Sequence, residues 1–222
     1  MKFQLKYGFY LLYLVITMIY IGFIYALPTT WRGMTSALVV FSDPSALGLF
    51  FMGAIVLFEK SERVLNSLFI APMKINEYIL SKVISLSVIS TIVGCIIVLL
   101  VISIGIDWVS FLIGLLLGSI LFSLAGLIVA TRVNSLNQFM MGVIPLGMLL
   151  SIPPFIILFG FHHNLLMLHP GVIVLKLILQ GVGIGEVSLF LALVLILWII
   201  LFWNWARMNV QKMVSLLGGI RL

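Results

Sequence analysis

Three histidines and one cysteine are the side chains of this sequence best suited to metal or redox chemistry. His162, His163 and His169 fall within one short segment, and Cys95 lies inside an apolar run. Imidazole groups can ligate haem or a metal ion, so a metal or haem site is an alternative here to a plain interfacial loop. A single cysteine excludes a disulfide within the chain and a thiolate cluster, and Cys95 is interpreted as a small packing residue.

Sequence patterns typical of catalysis are missing. Gly118-Ser119 lacks the flanking residues of an intramembrane protease nucleophile, and the last apolar run contains no histidine. A GxxxxGK[ST] loop, which cradles the phosphates of ATP, does not occur. The apolar runs carry no deep charged residue, which argues against an ion-coupled transporter or a proton relay. The sequence predicts no catalytic residue, no metal site and no cofactor on this chain.

Charged residues concentrate in residues 59–82, a segment that we call the elbow. It carries seven of the eighteen formal charges and joins two apolar runs. Within it, apolar residues recur at helical spacing, which predicts an amphipathic helix over 61–70 that ends at Ala71-Pro72. The apolar positions of that helix are Val64, Leu65, Leu68 and Phe69. On these residues alone, an ordinary inter-helix loop and a docking site for a partner are equally favoured.

Composition identifies the class of protein. The chain is 64% hydrophobic and 8% charged, whereas a soluble domain holds about 25% charged residues. We therefore expect an all-α membrane protein, a single transmembrane domain over residues 1–222. The net charge of +6 is expected to set orientation and to meet anionic lipid, and not to bind nucleic acid.

Uncharged windows predict six membrane spans. They lie near residues 7–27, 44–58, 83–106, 108–130, 138–160 and 187–206. The first follows Lys2 and Lys6 but is too long for a signal peptide, so we expect it to stay in the membrane. The second is short and is expected to borrow from residues 34–41. Asp43 and Pro44 are predicted to cap it at the outer surface.

The distribution of cations predicts the orientation. With six spans and both termini in the cytoplasm, ten cations lie inside and only Arg32 and Lys176 lie outside. The ten are Lys2, Lys6, Lys60, Arg63, Lys74, Lys82, Arg132, Arg207, Lys212 and Arg221. This asymmetry favours six spans over seven. The apolar segment 161–185 is then predicted to be a re-entrant hairpin at the outer face, loosened by its glycines.

Small residues are expected to set the packing of the spans. Ser87, Thr91 and Gly94 share one face of the third span, and the fourth carries a comparable stripe. That stripe consists of Gly114, Gly118, Ser119, Ser123 and Gly126. Packing within the subunit is favoured over a dimer contact. Prolines in the fifth span predict a kink, either a static bend or a helix that flexes.

The elbow and its neighbours resemble the ABC-2 type transporter permeases. In that family a glutamate at the end of the second span leads into a basic, then leucine-rich stretch that ends in a small residue and proline. The corresponding run here is EKSERVLNSLFIAP, residues 59–72, followed by EYILSK, residues 77–82. Asp43-Pro44 and the run GLFFMGA, residues 48–54, are similar to the drug-export, fluoroquinolone-type branch. Six spans with an outer hairpin fit the family over nearly the whole chain.

The resemblance implies the transmembrane subunit of an ATP-driven exporter in a prokaryotic inner membrane. Two permease subunits would pair, and each would dock a separate ATP-binding subunit, which carries ATP and Mg²⁺, through the elbow. Residues 67–73 would form a coupling helix, while Glu59, Glu62 and Arg63 would link the helices by polar contacts. The other residues that the resemblance assigns to coupling are Leu65, Leu68, Phe69, Ala71, Pro72 and Met73. Asp43 and Pro44 would form the outer gate.

Two other functions are compatible with the sequence. A haem or cytochrome-assembly permease of the same fold would draw on the outer histidines. A membrane scaffold or channel without an ATPase would need no docking site. Uncharged spans favour an apolar or amphipathic cargo, although serine, threonine and backbone groups can also meet a polar one.

Overall fold

The protein is built entirely of α-helices within the part of the chain that the computed structural model describes. This part covers residues 9–42, 46–62, 74–102, 105–161 and 163–217. Its helices are α1 (Phe9–Ala26), α2 (Thr29–Val40), α3 (Leu47–Ser61), α4 (Ile75–Val101), α5 (Trp108–Arg132), α6 (Leu136–Leu158), α7 (Asn164–Met167), α8 (Pro170–Gly181) and α9 (Leu189–Leu217). The all-α prediction is confirmed for these residues.

Four helices are long and apolar enough to cross a membrane: α4, α5, α6 and α9. They correspond to the last four of the six predicted spans. The α4 helix begins at Ile75, eight residues before the predicted start of the third span at residue 83. It ends at Val101, short of the predicted 106, and α9 continues past the predicted 206 to Leu217. A hydropathy window gives the length of chain that is apolar enough for the membrane. The helix itself ends where its backbone hydrogen bonds and its packing end, so the two bounds differ.

The second predicted span is divided between two helices. The α3 helix has 15 residues and extends about 22 Å, short of the ~30 Å hydrocarbon core. The α2 helix precedes it and packs against α1, α4 and α8, so residues 34–41 belong to an independent helix. Arg32 fixes the corner before it, donating to the carbonyls of Leu27 at 3.0 Å and Tyr25 at 2.9 Å. The predicted cap at Asp43-Pro44 lies outside the described residues.

The α5 helix is the centre of the bundle. Inside the protein, 67% of its apolar window is buried, against 44% for α4, 22% for α6 and 17% for α9. Its neighbours are α3, α4, α8 and α9, with α6 in lighter contact. Phe111, Leu115 and Phe122 on α5 are fully buried. The other long helices leave much of their apolar surface exposed, as expected where lipid replaces water.

Small residues bring α3 against α5. A Cβ atom at Gly48 would lie 1.9 Å from the Ser123 hydroxyl oxygen, and one at Gly126 would lie 2.3 Å from the Leu49 carbonyl oxygen. These distances leave no room for a side chain at either glycine. The small-residue stripe of the fourth predicted span therefore serves packing within the subunit, which confirms that interpretation.

The α8 helix occupies the segment between the fifth and sixth predicted spans. It has 12 residues, ten of them buried, and its length of about 18 Å is too short to cross the hydrocarbon core. Leu177 lies against Gly114, and Gly181 against Phe111, so α8 is wedged between α5 and its neighbours. Gly183 follows with a positive φ of 81°, a conformation that favours glycine at the return of the chain.

Prolines in α6 free backbone carbonyls that face α8. Pro153 and Pro154 lie inside one continuous helix, and each lacks the N–H that would bond the carbonyl four residues before it. Those carbonyls belong to Leu149 and Leu150. The Leu150 oxygen approaches Gly171 of α8 so closely that a Cβ atom there would lie 2.0 Å away. The α6 prolines thus help α8 to pack tightly against α6.

Candidate functional site

The two ends of the elbow are joined by a polar cluster around Glu59. The Tyr78 hydroxyl donates a hydrogen bond of 2.9 Å to the Glu59 carboxylate, and Lys82 forms an ion pair with the same carboxylate. The Lys82 ammonium also lies 5.4 Å from the centre of the Tyr78 ring. Tyr78 is only 1% exposed. The end of α3 and the first two turns of α4 are therefore held together directly, whatever path residues 63–73 take between them.

The next residue, Lys60, contacts a different helix. Its ammonium donates to the carbonyl oxygens of Ala130 at 3.0 Å, Thr131 at 3.1 Å and Val133 at 2.7 Å. The final carbonyls of a helix have no partner within the helix, and they form the negative end of its dipole. The Lys60 ammonium supplies hydrogen-bond donors to these carbonyls and a positive charge beside the negative end of the dipole. Lys60 therefore fastens α3 to the C-terminal end of α5.

A third polar contact connects α5 to α9. The Arg132 guanidinium donates to the Asn209 side-chain oxygen at 2.7 Å and lies 5.3 Å from the centre of the Trp205 ring. Asn209 is 8% exposed, and its amide donates in turn to the Trp205 carbonyl at 2.7 Å. Because Asn209 lies beyond the predicted end of the last span, the extension of α9 is part of this arrangement.

The three contacts link α3, α4, α5 and α9 at one end of the bundle, which we call the basic end. Its described cations are Lys60, Lys74, Lys82, Arg132, Arg207 and Lys212. Of the residues that the sequence assigned to coupling, Glu59 lies in the polar cluster and Glu62 is exposed at the end of α3. The others lie outside the described residues: Arg63, Leu65, Leu68, Phe69, Ala71, Pro72 and Met73. Their assignments stay predictions, as does the outer gate at Asp43 and Pro44.

Sequence reasoning missed Lys60, Arg132 and Asn209 as contact residues, since it used the two cations only to orient the chain. The position of Arg132 in the last turn of an apolar helix could have suggested a contact role, because cations stabilise helix C-termini. For Lys60 the partners lie about seventy positions away in the chain. Such a pairing is not visible without the packing of α3 on α5.

The opposite end carries its own helix cap. Asp107 accepts hydrogen bonds from the backbone of Val109 at 3.1 Å and from the hydroxyl of Ser110 at 2.6 Å. Bonds from Ser110 lower the pKa of the Asp107 carboxyl, because they stabilise the charged form. The Asp107 N–H donates to the Gly181 carbonyl at 2.9 Å, which ties the start of α5 to the end of α8. Asp107 is therefore a helix cap and not a group poised for catalysis.

The described histidines have structural surroundings. His163 Nδ1 accepts from the Leu165 N–H at 3.3 Å and caps α7. Burial lowers the pKa of His169, opposed by the carbonyl of Leu149, one of the carbonyls freed by the α6 prolines. Among the described residues no group of three or more His, Cys, Asp or Glu side chains could hold a metal ion, and His162 lies outside them.

An all-helical architecture with four candidate spans and a polar, basic end defines the class: this is a multi-span helical membrane protein. The chain belongs to the fluoroquinolones export permease protein family, whose model matches residues 1–215. This confirms the resemblance to the drug-export branch of permeases.

Two relatives in Mycobacterium tuberculosis are named fluoroquinolones export permease proteins, one from strain CDC 1551 / Oshkosh and one from strain H37Rv. Each is 28% identical over 177 residues, which cover 78% of this chain and 72% of the relative. Their names denote transport proteins and not enzymes. The family thus supports export across a membrane as the general activity.

Proposed function

We propose that this chain is the transmembrane subunit of an ATP-driven exporter that works with a separate ATP-binding subunit. Family membership supports export. The sequence contains no GxxxxGK[ST] phosphate-binding loop, so a separate chain would carry the ATP-hydrolysing site of this type. The observation that carries the proposal is the set of polar contacts at the basic end. These contacts join the two arms of the elbow to each other, the elbow to α5, and α5 to α9.

The attachments divide the force between helices. Glu59 joins α3 to α4 through Tyr78 and Lys82, so both arms of the elbow move together. Lys60 passes the movement to α5, and Arg132 passes it on to α9 through Asn209. Packed interiors respond to a displacement as connected bodies and not as a fluid. Closure of the ATPase beneath the elbow would then tilt α3 and α4 and open a pathway bordered by α3 and α6.

The proposed topology has six spans with both termini in the cytoplasm of a prokaryotic cell. In this arrangement α1 forms the first span, and α2 with α3 the second. The helix α8 lies in a hairpin at the outer face. Six described cations at the basic end against Arg32 and Lys176 elsewhere support this orientation. The ATP-binding subunit, with its ATP and Mg²⁺, would meet the basic end from the cytoplasm.

The proposed cargo is a drug of the fluoroquinolone type or a similar amphipathic molecule, as the names of the relatives suggest. A pathway between two permease subunits fits this cargo, because α6 exposes a long apolar face. Its exposed side chains include Met141, Met148, Leu149 and Ile152. The second subunit would cover this face and share the pathway.

Co-purification of the permease with its ATP-binding subunit tests the coupling. Replacing Leu68 and Phe69 by Asp should weaken the complex and lower the stimulated ATPase activity, because both residues lie on the predicted apolar stripe of the elbow. Asn66→Asp is the matched control, since it adds a charge on the polar side of the same predicted helix. A complex and a stimulated ATPase that are both undiminished in the double variant would contradict docking through the elbow.

A further inference from the structure

A cleft at the basic end is not used by the contacts described above. It has a volume of about 370 Å³ and is lined by Lys74, Ile75, Asn76, Arg207 and Gln211. The first three residues begin α4, and the last two belong to the extension of α9. Two cations and two side-chain amides thus face one space between two helices.

Among the described residues, neither cation of the cleft pairs with an acidic side chain. The ion pair found there joins Lys82 to Glu59. The nearest acid in the chain, Glu77, accepts a bond from the backbone N–H of Lys74 at 3.3 Å and so supports the start of α4. Lys74 and Arg207 are both exposed. Their charges are available to an anion that enters the cleft.

The cleft also has the depth of the lipid headgroups. Arg207 is the first charged residue after the last predicted span, residues 187–206. It follows Trp203 and Trp205, and tryptophan favours the membrane interface. Lys74 lines the same cleft as Arg207 and therefore lies at the same depth. The headgroup layer occupies the outer several ångströms of each leaflet. Both helices therefore bring their cations to this layer.

Exposed apolar side chains continue from the cleft toward the membrane centre. On α4, Leu80, Ile84, Val88 and Ile92 are exposed at intervals of four residues beyond Asn76. On α9, Leu201 and Leu197 are exposed in the same direction. Asn76, Leu80 and Ile84 lie within about 80° of one another around the helix axis, so an acyl chain could follow this part of α4 while its headgroup occupied the cleft.

We propose that the cleft between the start of α4 and the end of α9 binds the phosphate of an anionic phospholipid. Lys74 and Arg207 neutralise the phosphate, and the amides of Asn76 and Gln211 bond the hydroxyls of a headgroup such as phosphoglycerol. Basic pockets between membrane helices are a known means of holding anionic lipids. This inference goes beyond the proposed function, because lipid binding at this place requires no ATPase.

Titration of phosphatidylglycerol into the detergent-purified chain, with bound lipid counted by native mass spectrometry, tests the site. The double variant Lys74→Gln and Arg207→Gln should bind phosphatidylglycerol about thirtyfold more weakly, and phosphatidylcholine binding should not change. Lys212→Gln is the matched control, since it removes an exposed cation from α9 outside the cleft. Unchanged melting temperatures of both variants would show that the fold is intact.

Three results would overturn the proposal. One is equal phosphatidylglycerol affinity in the double variant and the control. Another is displacement of the lipid by an equimolar amount of inorganic phosphate, which would indicate a site for free phosphate. The third is unchanged lipid affinity combined with loss of the ATP-binding subunit in co-purification, which would assign the cleft to a protein contact.

Discussion

Glu59 and Lys60 are consecutive residues whose side chains serve different helices. Glu59 contacts α4 through Tyr78 and Lys82, and Lys60 contacts the last carbonyls of α5. Both lie in the last turn of α3, so the point where the elbow leaves the bundle is also the point where the bundle is fastened. The resemblance to the ABC-2 type permeases predicted polar contacts between helices for Glu59. It did not reveal Lys60's partners, because these depend on how α3 packs on α5.

Removing the Lys60 ammonium should destabilise the protein. We expect Lys60→Met to lower the free energy of unfolding by about 2 kcal/mol, because the α5 carbonyls lose a charged donor. Thermal unfolding in detergent measures the effect. Lys212→Met, on the exposed side of α9, should stay within about 0.5 kcal/mol of the unmodified protein. A Lys60 variant as stable as the Lys212 variant would show that the cap contributes nothing.

The ion pair at the base of the elbow should show energetic coupling. Glu59→Gln keeps an acceptor for the Tyr78 hydroxyl but removes the charge that Lys82 needs. In a double-mutant cycle with Lys82→Gln, we expect a coupling energy of about 1–3 kcal/mol, since the partners are in contact and mostly buried. Chemical or thermal unfolding of the four proteins supplies the values. Strict additivity would mean that the two side chains act independently.

At the scale of the helices, α5 is the element on which the others depend. Its glycines and serines allow α3 and α8 to approach its backbone, and its C-terminal end receives Lys60. The sequence identified this stripe and predicted packing within the subunit. Four long apolar helices lie where the last four spans were predicted, because a membrane span requires an apolar helix of that length. Sequence reasoning missed the independence of α2 and the length of α9, because hydropathy records apolar length and not where a helix begins or ends.

A single methyl group should test the α3–α5 contact. Gly126→Ala places a Cβ atom 2.3 Å from the Leu49 carbonyl, and we expect a loss of about 1–3 kcal/mol as the helices are pushed apart. Gly22→Ala is the control, because a Cβ atom there meets nothing within 4 Å. Since alanine favours helix over glycine, the control should be neutral or slightly stabilised. Equal melting temperatures for the two variants would contradict the close approach.

At the scale of the molecule, charge is strongly asymmetric. The described part of the chain carries six cations at the basic end, and Arg32 and Lys176 lie away from it. The polar contacts between helices α3, α4, α5 and α9 lie at the same end. Orientation in the membrane and attachment of a partner are therefore predicted by the same set of residues. Cargo identity has no comparable sign in the sequence, since an apolar pathway leaves few distinctive side chains.

The orientation predicts which residues an impermeant maleimide can reach from outside the cell. In a background with Cys95→Ser, Glu186→Cys should be labelled in intact cells, because it lies in the loop between α8 and α9. Lys212→Cys should be labelled only after the cells are opened, since it lies at the basic end. Labelling of the Lys212 variant in intact cells would invert the proposed topology.

Drug transport by the purified components in proteoliposomes tests ATP-driven export most directly. The permease and its ATP-binding subunit are reconstituted together and separately, and fluoroquinolone movement is followed by fluorescence with and without ATP. We expect ATP-dependent movement only when both chains are present, and its loss when Leu68 and Phe69 are replaced by Asp. Equal movement by the permease alone, or by both chains without ATP, would contradict ATP-driven export by the two subunits.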